Sequence, residues 1–278
     1  MQPEVTPQER STLIDAVAAE VFAAFGSGRQ IAPFSSRPGG LTLDEAYRVT
    51  ARLDRARVAR GERAVGRKIG FTNRTIWPEY GVYAPIWGYV TERSVVALDA
   101  ITELPLSGFA EPRIEPEIMF GLARAPAPDM DEAALADSIE WVAHGFEIVQ
   151  SLFPAWKFAP ADTVAANGLH GALVIGRRHA FAPRAAEFMR ALPAFAVELY
   201  RNGEPADRGL GANVLDGPLA ALRHVVGLLA DDPVNPPLKA GEIVSTGTLT
   251  RALPIAPGEV WHTRLRGIAL DGIKLRFV

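Results

Sequence analysis

Residues 111–120 read Glu111-Pro112-Arg113-Ile114-Glu115-Pro116-Glu117-Ile118-Met119-Phe120, with two carboxylates set two apart in a run that turns apolar at Ile118. As an extended strand the segment sends alternate side chains to opposite faces, so Glu115 and Glu117 project from one side. Like charges held side by side repel unless something positive sits between them. A hard divalent cation such as Mg2+ or Mn2+ suits oxygen ligands. A third carboxylate follows in His144-Gly145-Phe146-Glu147-Ile148-Val149-Gln150, again inside an apolar, strand-like run. Acidic residues in apolar strands are costly unless paired or metal-bound. For each of the three, a solvated strand position or a salt bridge is the alternative, and spacing alone leaves it open because Glu-x-Glu is a common pattern.

The 278-residue chain can bury one large core, or a main domain with a smaller appendage. Its 48% hydrophobic and 22% charged residues are those of an ordinary globular protein. A net charge of -3 gives no basic footprint for nucleic acid. No apolar run reaches the length of a membrane span. The opening Met1-Gln2-Pro3-Glu4-Val5-Thr6 lacks the basic-then-apolar pattern of a signal peptide, so a cytoplasmic location is expected. With no cysteine, disulfides, thiolate metal sites and cysteine nucleophiles are excluded. Five scattered histidines, with no His-x-x-x-His pair, argue against a histidine-rich zinc site.

Working outward, the first 63 residues read as a helical N-terminal region and residues 64–278 as a mixed, β-rich body. Thr6-Pro7-Gln8-Glu9 and Thr42-Leu43-Asp44-Glu45 are both capping boxes, each followed by apolar residues at helical spacing. Residues 27–40, rich in Gly, Pro, Ser and Arg, read as a connector. Arg52, Arg55, Arg57 and Arg60 on the second helix read as a solvated or subunit-facing surface. From Ala64 on, short valine-, isoleucine- and aromatic-rich runs are punctuated by Gly and Pro. The pattern predicts strands over 65–71, 90–98, 114–122, 141–149, 172–175, 196–201, 242–245 and 267–277, and helices over 129–138 and 219–229. Asn202-Gly203 is a strong hairpin signal.

Three further constellations can carry chemistry. Lys68, in Gly66-Arg67-Lys68-Ile69-Gly70-Phe71-Thr72-Asn73, sits in a strand between glycines that permit close backbone approach. It either snorkels to solvent or meets an anion or carboxylate. Residues 157–171, from Lys157 through Asp162 and Asn167 to His170, are dense in polar groups just after the Glu147 strand. There Asp162 can simply cap a short helix. Residues 241–250, around Ser245-Thr246-Gly247-Thr248-Leu249-Thr250, can offer hydroxyls and backbone N–H groups to an anion, or form only a tight turn. No Walker, Rossmann or Gly-x-Ser-x-Gly fingerprint is present.

In this order and spacing, the pieces resemble the fumarylacetoacetate hydrolase superfamily, and more narrowly its 2-keto-4-pentenoate hydratase and 4-oxalocrotonate decarboxylase branch. The resemblance runs from the N-terminal helices through Lys68-Ile69-Gly70-Phe71-Thr72, Glu115-Pro116-Glu117, Gly145-Phe146-Glu147, Asp162 to Asn167, Gly211 to Pro218 and Gly247-Thr248-Leu249-Thr250. It implies a mixed β-roll fold in the α/β class, a homo-oligomer, and a Mg2+ or Mn2+ ion held by Glu115, Glu117 and Glu147. The family lysine falls on Lys68, and Gly247, Thr248 and Leu249 lie near the substrate carboxylate. Phe71, Thr72, Trp87, Lys157 and Asn167 are the further substrate-binding candidates. The implied substrate is a small 2-oxo acid or its 2-hydroxydienoate enol, hydrated through an enolate stabilised at C2–C3.

Two departures bear on the reaction. Where the hydratase pattern has an aspartate after a proline, this chain reads Val82-Tyr83-Ala84-Pro85-Ile86-Trp87-Gly88, with Ile86 in the aspartate's place. Hydroxyl residues that follow the Asn segment in some hydratases appear as Leu169 and His170, and His170 can take acid–base duty or be a satisfied core histidine. Trp77, Trp87 and Phe71 suggest an apolar pocket for a substrate without a second charged end. A decarboxylase would need a cation for a diacid's far end, from Arg67, Arg74 or Lys157. A C–C bond hydrolase and a retired metal-binding relative are the other readings.

Overall fold

The computed structural model describes residues 6–74, 77–80 and 83–278. Seven helices are described: α1 (Pro7–Ala24), α2 (Leu43–Ala59), α3 (Trp77–Tyr80), α4 (Glu132–Ala136), α5 (Pro160–Ala165), α6 (Ala185–Ala191) and α7 (Pro218–Ala230). The strands are β1 (Ala64–Gly70), β2 (Ile86–Thr91), β3 (Val95–Ala97), β4 (Glu103–Leu104), β5 (Arg113–Leu122), β6 (Ile139–Val149), β7 (His170–Ile175), β8 (His179–Ala180), β9 (Ala196–Arg201), β10 (Glu204–Leu210), β11 (Ile243–Ser245), β12 (Leu253–Pro254), β13 (Val260–Arg266) and β14 (Lys274–Phe277).

Both capping boxes form. The Thr6 and Thr42 hydroxyls accept from the amides of Glu9 and Glu45, and those glutamates accept from the threonine amides. Each box satisfies donors that a helix start otherwise leaves open. The apolar stripes Ile14, Val17, Val21 and Ala46, Val49, Leu53 then pack together, and against Val164 and Ala165 of α5, Phe153 and Leu169.

The body is a mixed nine-stranded sheet in the order β2-β1-β11-β5-β6-β7-β3, with β12 joined to β5 and β8 to β6. A second sheet, β10-β9-β13-β14-β4, covers one of its faces. Ile114, Phe146, Ile148 and Val174 of the large sheet meet Leu199, Trp261, Leu275 and Phe277 of the small one. Helix α7, buried along Leu219, Leu222, Val225, Val226 and Leu229, closes another apolar cluster with Ile69, Ile118 and Phe120. The architecture is the expected mixed α/β roll. The Asn202-Gly203 turn joins β9 to β10 with φ of 52° and 91°, the left-handed pair that a two-residue hairpin requires.

Three expected elements differ. The run 90–98 is not one strand: a 3-10 turn over Glu92–Ser94 separates β2 from β3, closed by the Thr91 amide donating to the Ser94 hydroxyl at 3.2 Å. The run 267–277 forms only its last part as β14, because Gly267 turns left-handed at φ 84°; its antiparallel partner β13 precedes it. The helix expected over 129–138 is confined to α4, capped by the Asp131 side chain on the Ala134 amide. Residues 1–5 of the N-terminal reading and Val82 lie outside the described residues.

Candidate metal centre and pocket

Register builds the site. In β5, Ile114, Ile118 and Phe120 face the apolar clusters, so Glu115 and Glu117 face the other way. Antiparallel pairing sets Glu147 of β6 directly opposite Glu115, and side-chain-free Gly145 opposite Glu117. On the far side, β11 lies between β5 and β1, pairing Ser245 with Met119 and with Lys68. Lys68, Ser245, Glu115, Glu117 and Glu147 therefore gather on one face of the sheet. One oxygen from each of the three carboxylates lies within 4.8 Å of the others.

The carboxylates are held asymmetrically. Glu117 Oε2 accepts a short hydrogen bond from the Ser245 hydroxyl and another from the Gly247 amide at 2.9 Å. Gly247 presents that amide at φ 102°, and a Cβ there would fall 1.8 Å from the Thr72 hydroxyl, so only glycine fits. Glu147 Oε1 is 2.8 Å from His170 Nδ1. The other oxygens, Glu117 Oε1 and Glu147 Oε2, are buried without a hydrogen-bond partner. Lys68 Nζ stands 3.2 Å from Glu147 Oε2, at ion-pair range, while its hydrogen bond goes to the Gly168 carbonyl at 2.9 Å. Buried orphan oxygens are rare and expensive. Two of them beside a third carboxylate form an all-oxygen donor set that fits a hard divalent cation.

Electrostatics agree. Burial, then the neighbouring Glu147 carboxylate, pushes Glu117 up to about 8 against the pull of Lys68, Ser245 and Gly247. Burial likewise raises Glu115 well above the carboxylate range, and raises Glu147. Burial acts against the Lys68 charge, but Glu147, Glu115 and Glu117 outweigh it and the net shift is upward, so Lys68 is a charged donor. Burial, with Lys68 and Arg57 nearby, drives His170 well below its ordinary value; its contact with Glu147 is thus a hydrogen bond of a neutral ring, not an ion pair. His144 pairs with the Glu117 carbonyl and Thr263 Oγ1, both at 2.9 Å, and burial lowers it to about 4.

A pocket opens over Lys68 and Glu115. Its walls are Phe71, Val149, Trp156, Phe158, Leu169 and Ala252, with the Thr248 side chain beside them. Lys68 and Glu115 are the only charged residues among its described lining residues. Phe71, Trp156 and Leu169 carry φ of 54°, 57° and 62°. Left-handed backbone at such residues costs about 1–3 kcal/mol each and clusters at functional sites.

Of the residues singled out by sequence, Lys68, Phe71, Glu115 and Thr248 line the pocket, with Glu117, Glu147 and Gly247 behind its floor. Thr72 is buried against Gly247. Trp87 does not reach the pocket: alternation turns it to the opposite face, stacked on Tyr47 at 5.1 Å. Asn167 also turns away, its amide spanning the backbone N–H and C=O of Tyr89 at 2.8 and 2.9 Å. Leu249 is core, Lys157 is exposed, and His170 lies behind Glu147 rather than in the pocket. The cations considered for a diacid are elsewhere: Arg67 is buried over the Tyr89 ring at 3.9 Å, and Arg74 pairs with Asp216. Trp77 acts at one remove, donating to the Phe71 carbonyl at 2.8 Å. Asp162 accepts from the amides of Ala159 and Ser35, capping α5 and tying down the connector. Sequence reasoning missed Trp156 and Phe158, which flank the left-handed turn at Ala155 and Trp156, and Val149, which alternation from Glu147 could have placed; Ser245, in the segment read as offering hydroxyls to an anion, donates to Glu117.

No family model matches the chain. It is 32% identical over 262 residues to 2-hydroxyhexa-2,4-dienoate hydratase of Comamonas testosteroni, covering 94% of this chain and 97% of that protein. It is 31% identical over 269 residues to 2-keto-4-pentenoate hydratase of Paraburkholderia xenovorans, covering 95% and 94%. Among solved structures, 4-oxalocrotonate decarboxylase of Pseudomonas putida G7, complexed with magnesium and adipate, superposes with a TM-score of 0.85 at 27% identity, over 96% of this chain and 98% of that one. With relatives of this identity along nearly its whole length, and the roll and carboxylate cluster in place, the chain belongs to the 2-keto-4-pentenoate hydratase and 4-oxalocrotonate decarboxylase branch of the fumarylacetoacetate hydrolase superfamily.

Proposed function

We propose that the chain is a divalent-metal-dependent lyase that hydrates a small 2-hydroxy-2,4-dienoate, the enol of a 2-oxo acid, with Mg2+ or Mn2+ held by Glu115, Glu117 and Glu147. The observation that carries the reading is the pair of buried oxygens, Glu117 Oε1 and Glu147 Oε2, left without donors beside Lys68 under an apolar pocket. A bound divalent cation supplies Lewis-acid stabilisation of charge developing on the substrate's C2 oxygen. The chain's own residues do the rest. Lys68 Nζ, anchored by Gly168, meets the substrate's negative end and holds a transferable proton. Phe71, Trp156, Phe158 and Leu169 seat an uncharged tail and exclude water. The division into an N-terminal region, 1–63, and a catalytic body, 64–278, belongs to this proposal. A homo-oligomer in the cytoplasm is part of the same proposal and rests on the family resemblance.

The decarboxylase reading draws on the likeness to 4-oxalocrotonate decarboxylase, yet the described pocket wall has no second cation for a diacid's far carboxylate. Ultraviolet-monitored turnover of 2-hydroxypenta-2,4-dienoate and 2-oxohex-3-enedioate, with Mg2+ or Mn2+ and a Glu115→Ala/Glu117→Ala control, separates the two. Metal-dependent loss of the dienoate that vanishes in the control is the expected result. Conversion of the diacid alone, with CO2 release, replaces hydratase by decarboxylase. No turnover of either with metal bound points to a retired relative.

A further inference from the structure

A short hydrogen-bond chain leaves the carboxylate cluster on the side away from the pocket. His170 Nδ1 is 2.8 Å from Glu147 Oε1, and its Nε2 is 2.8 Å from Ser94 Oγ. Ser94 ends the 3-10 turn between β2 and β3, where its hydroxyl also lies 3.0 Å from the Thr91 carbonyl and 3.2 Å from the Thr91 amide. Neither His170 nor Ser94 lines the pocket over Lys68; both face a separate cleft beneath α1 and α2. They do not meet the substrate.

The donors and acceptors in this chain can be counted. A neutral imidazole has one N–H and one lone pair. With the proton on Nε2, the Nδ1 lone pair would face Glu147 Oε1 at 2.8 Å, an acceptor against an acceptor. A carboxylate that ligates a cation is ionised, so that arrangement repels. With the proton on Nδ1, the ring donates to Oε1, and Nε2 needs a donor. Ser94 is that donor, provided its single proton turns from the Thr91 carbonyl to the ring. The amide of Thr91 still supplies the hydroxyl oxygen with a hydrogen bond.

We propose that Ser94 and His170 are positioning residues for the metal site: Ser94 fixes the Nδ1–H tautomer of His170, which ties down Glu147 Oε1 and leaves Oε2 for the divalent cation. This rests on the reading of Glu147 as a metal ligand. Outer partners that orient a ligating group typically change metal affinity about 10–100-fold when removed. Ser94→Ala should therefore weaken Mn2+ binding, read by isothermal titration, about 10-fold, and Ser94→Thr, which keeps the hydroxyl, should restore it.

The independent readout is nitrogen-15 NMR of histidine-labelled, Mg2+-loaded protein, with the His170 signal assigned by its loss in His170→Asn. Wild type should show a protonated Nδ1 and an unprotonated Nε2, and Ser94→Ala should populate the other tautomer. A protonated Nε2 in wild type overturns the inference, as does a Ser94→Ala affinity equal to wild type. Equal losses in Ser94→Ala and Ser94→Thr also overturn it, because the turn rather than the hydroxyl would then matter. Wild-type protein that takes up no Mn2+ overturns the metal reading itself, and that failure is distinct from a metal-binding wild type whose variants behave alike.

Discussion

Stripping divalent cations should make this protein less stable as pH rises through neutrality, the reverse of the usual acid-side loss. Burial, then Glu147, raises Glu117 from 4.5 to about 8 in the fold, whereas the unfolded chain returns it to the ordinary range. Across that interval the native state holds a proton that the unfolded state has released. Stability follows the difference in bound protons, so this contribution is fully present at low pH and is lost as pH climbs through about 8. The buried histidines work in the opposite sense: His144, lowered from 6.5 to about 4, favours the fold increasingly as pH rises to 6.5 and then adds nothing more. The uncluttered window therefore lies between about 6.5 and 8. At about 1.4 kcal/mol per pH unit for one group, Glu117 alone removes about 2 kcal/mol across it. Glu115, also raised, adds in the same direction. The assay is urea unfolding followed by tryptophan fluorescence at a series of pH values across this window, with chelator and with saturating Mn2+. Mn2+ should flatten the slope, because a cation ionises its ligands, and should raise stability by its binding free energy. A flat or rising stability in chelator, or an equal fall with Mn2+, would refute the reasoning.

Lys68→Met should lower kcat/KM about 10²–10⁴-fold while the carboxylates still take up metal; steady-state kinetics beside Mn2+ titration separates the two effects. Phe158→Ala, which opens the pocket wall, should lower kcat/KM for a dienoate with an alkyl tail about 10–200-fold and leave metal affinity unchanged. Asn167→Ala breaks two buried bonds to the Tyr89 backbone and should cost about 2 kcal/mol in denaturant unfolding with KM unaltered, whereas a KM rise alone would return Asn167 to the pocket.

The parts of the site readable in the sequence are those set by strand alternation. Glu115 and Glu117 share a face because they are two apart, and Glu147 joins them because β6 runs antiparallel in register. Caps and the Asn202-Gly203 turn were equally local, and all formed as read. What alternation could not give was register. Only the pairing of Lys68 with Gly88 shows that Trp87 turns to the opposite face, away from the pocket. The walls were less legible still. Ala155 and Trp156, consecutive at φ 55° and 57°, adopt a backbone that neither residue prefers, held by Glu111, which accepts from the Ala155 amide and the Trp156 indole. Nothing local in Pro154-Ala155-Trp156 announces that turn, because the contacts that impose it come from a segment 44 residues away. The break at Glu92–Ser94 was hidden for a similar reason: a serine inside a valine-rich run is neutral toward a strand until its hydroxyl closes on Thr91.

Register also decides which side chains stand beside Lys68 to handle protons. Pairing of β1 with β2 sets Gly70 against Ile86 and Lys68 against Gly88, so residues 86 and 88 share the face that carries Lys68. One offers an alkyl chain and the other no side chain, and neither can carry a proton. Gly88 has no room for a substitute, since a Cβ there would lie 2.2 Å from the Asn167 carbonyl oxygen. That close approach seats the turn whose Gly168 carbonyl anchors Lys68. The ammonium gives one N–H to the Gly168 carbonyl and stands at ion-pair range of Glu147 Oε2, which leaves N–H capacity for a ligand in the pocket. Hydration of a dienol needs a proton at C5 and water at C4; decarboxylation needs one proton after CO2 departs. A single fixed donor meets the second demand alone and the first with help from water. The acid–base set is therefore compatible with both reactions, and the choice between them falls to the tail subsite, where Phe71, Trp156, Phe158 and Leu169 favour a substrate without a second carboxylate.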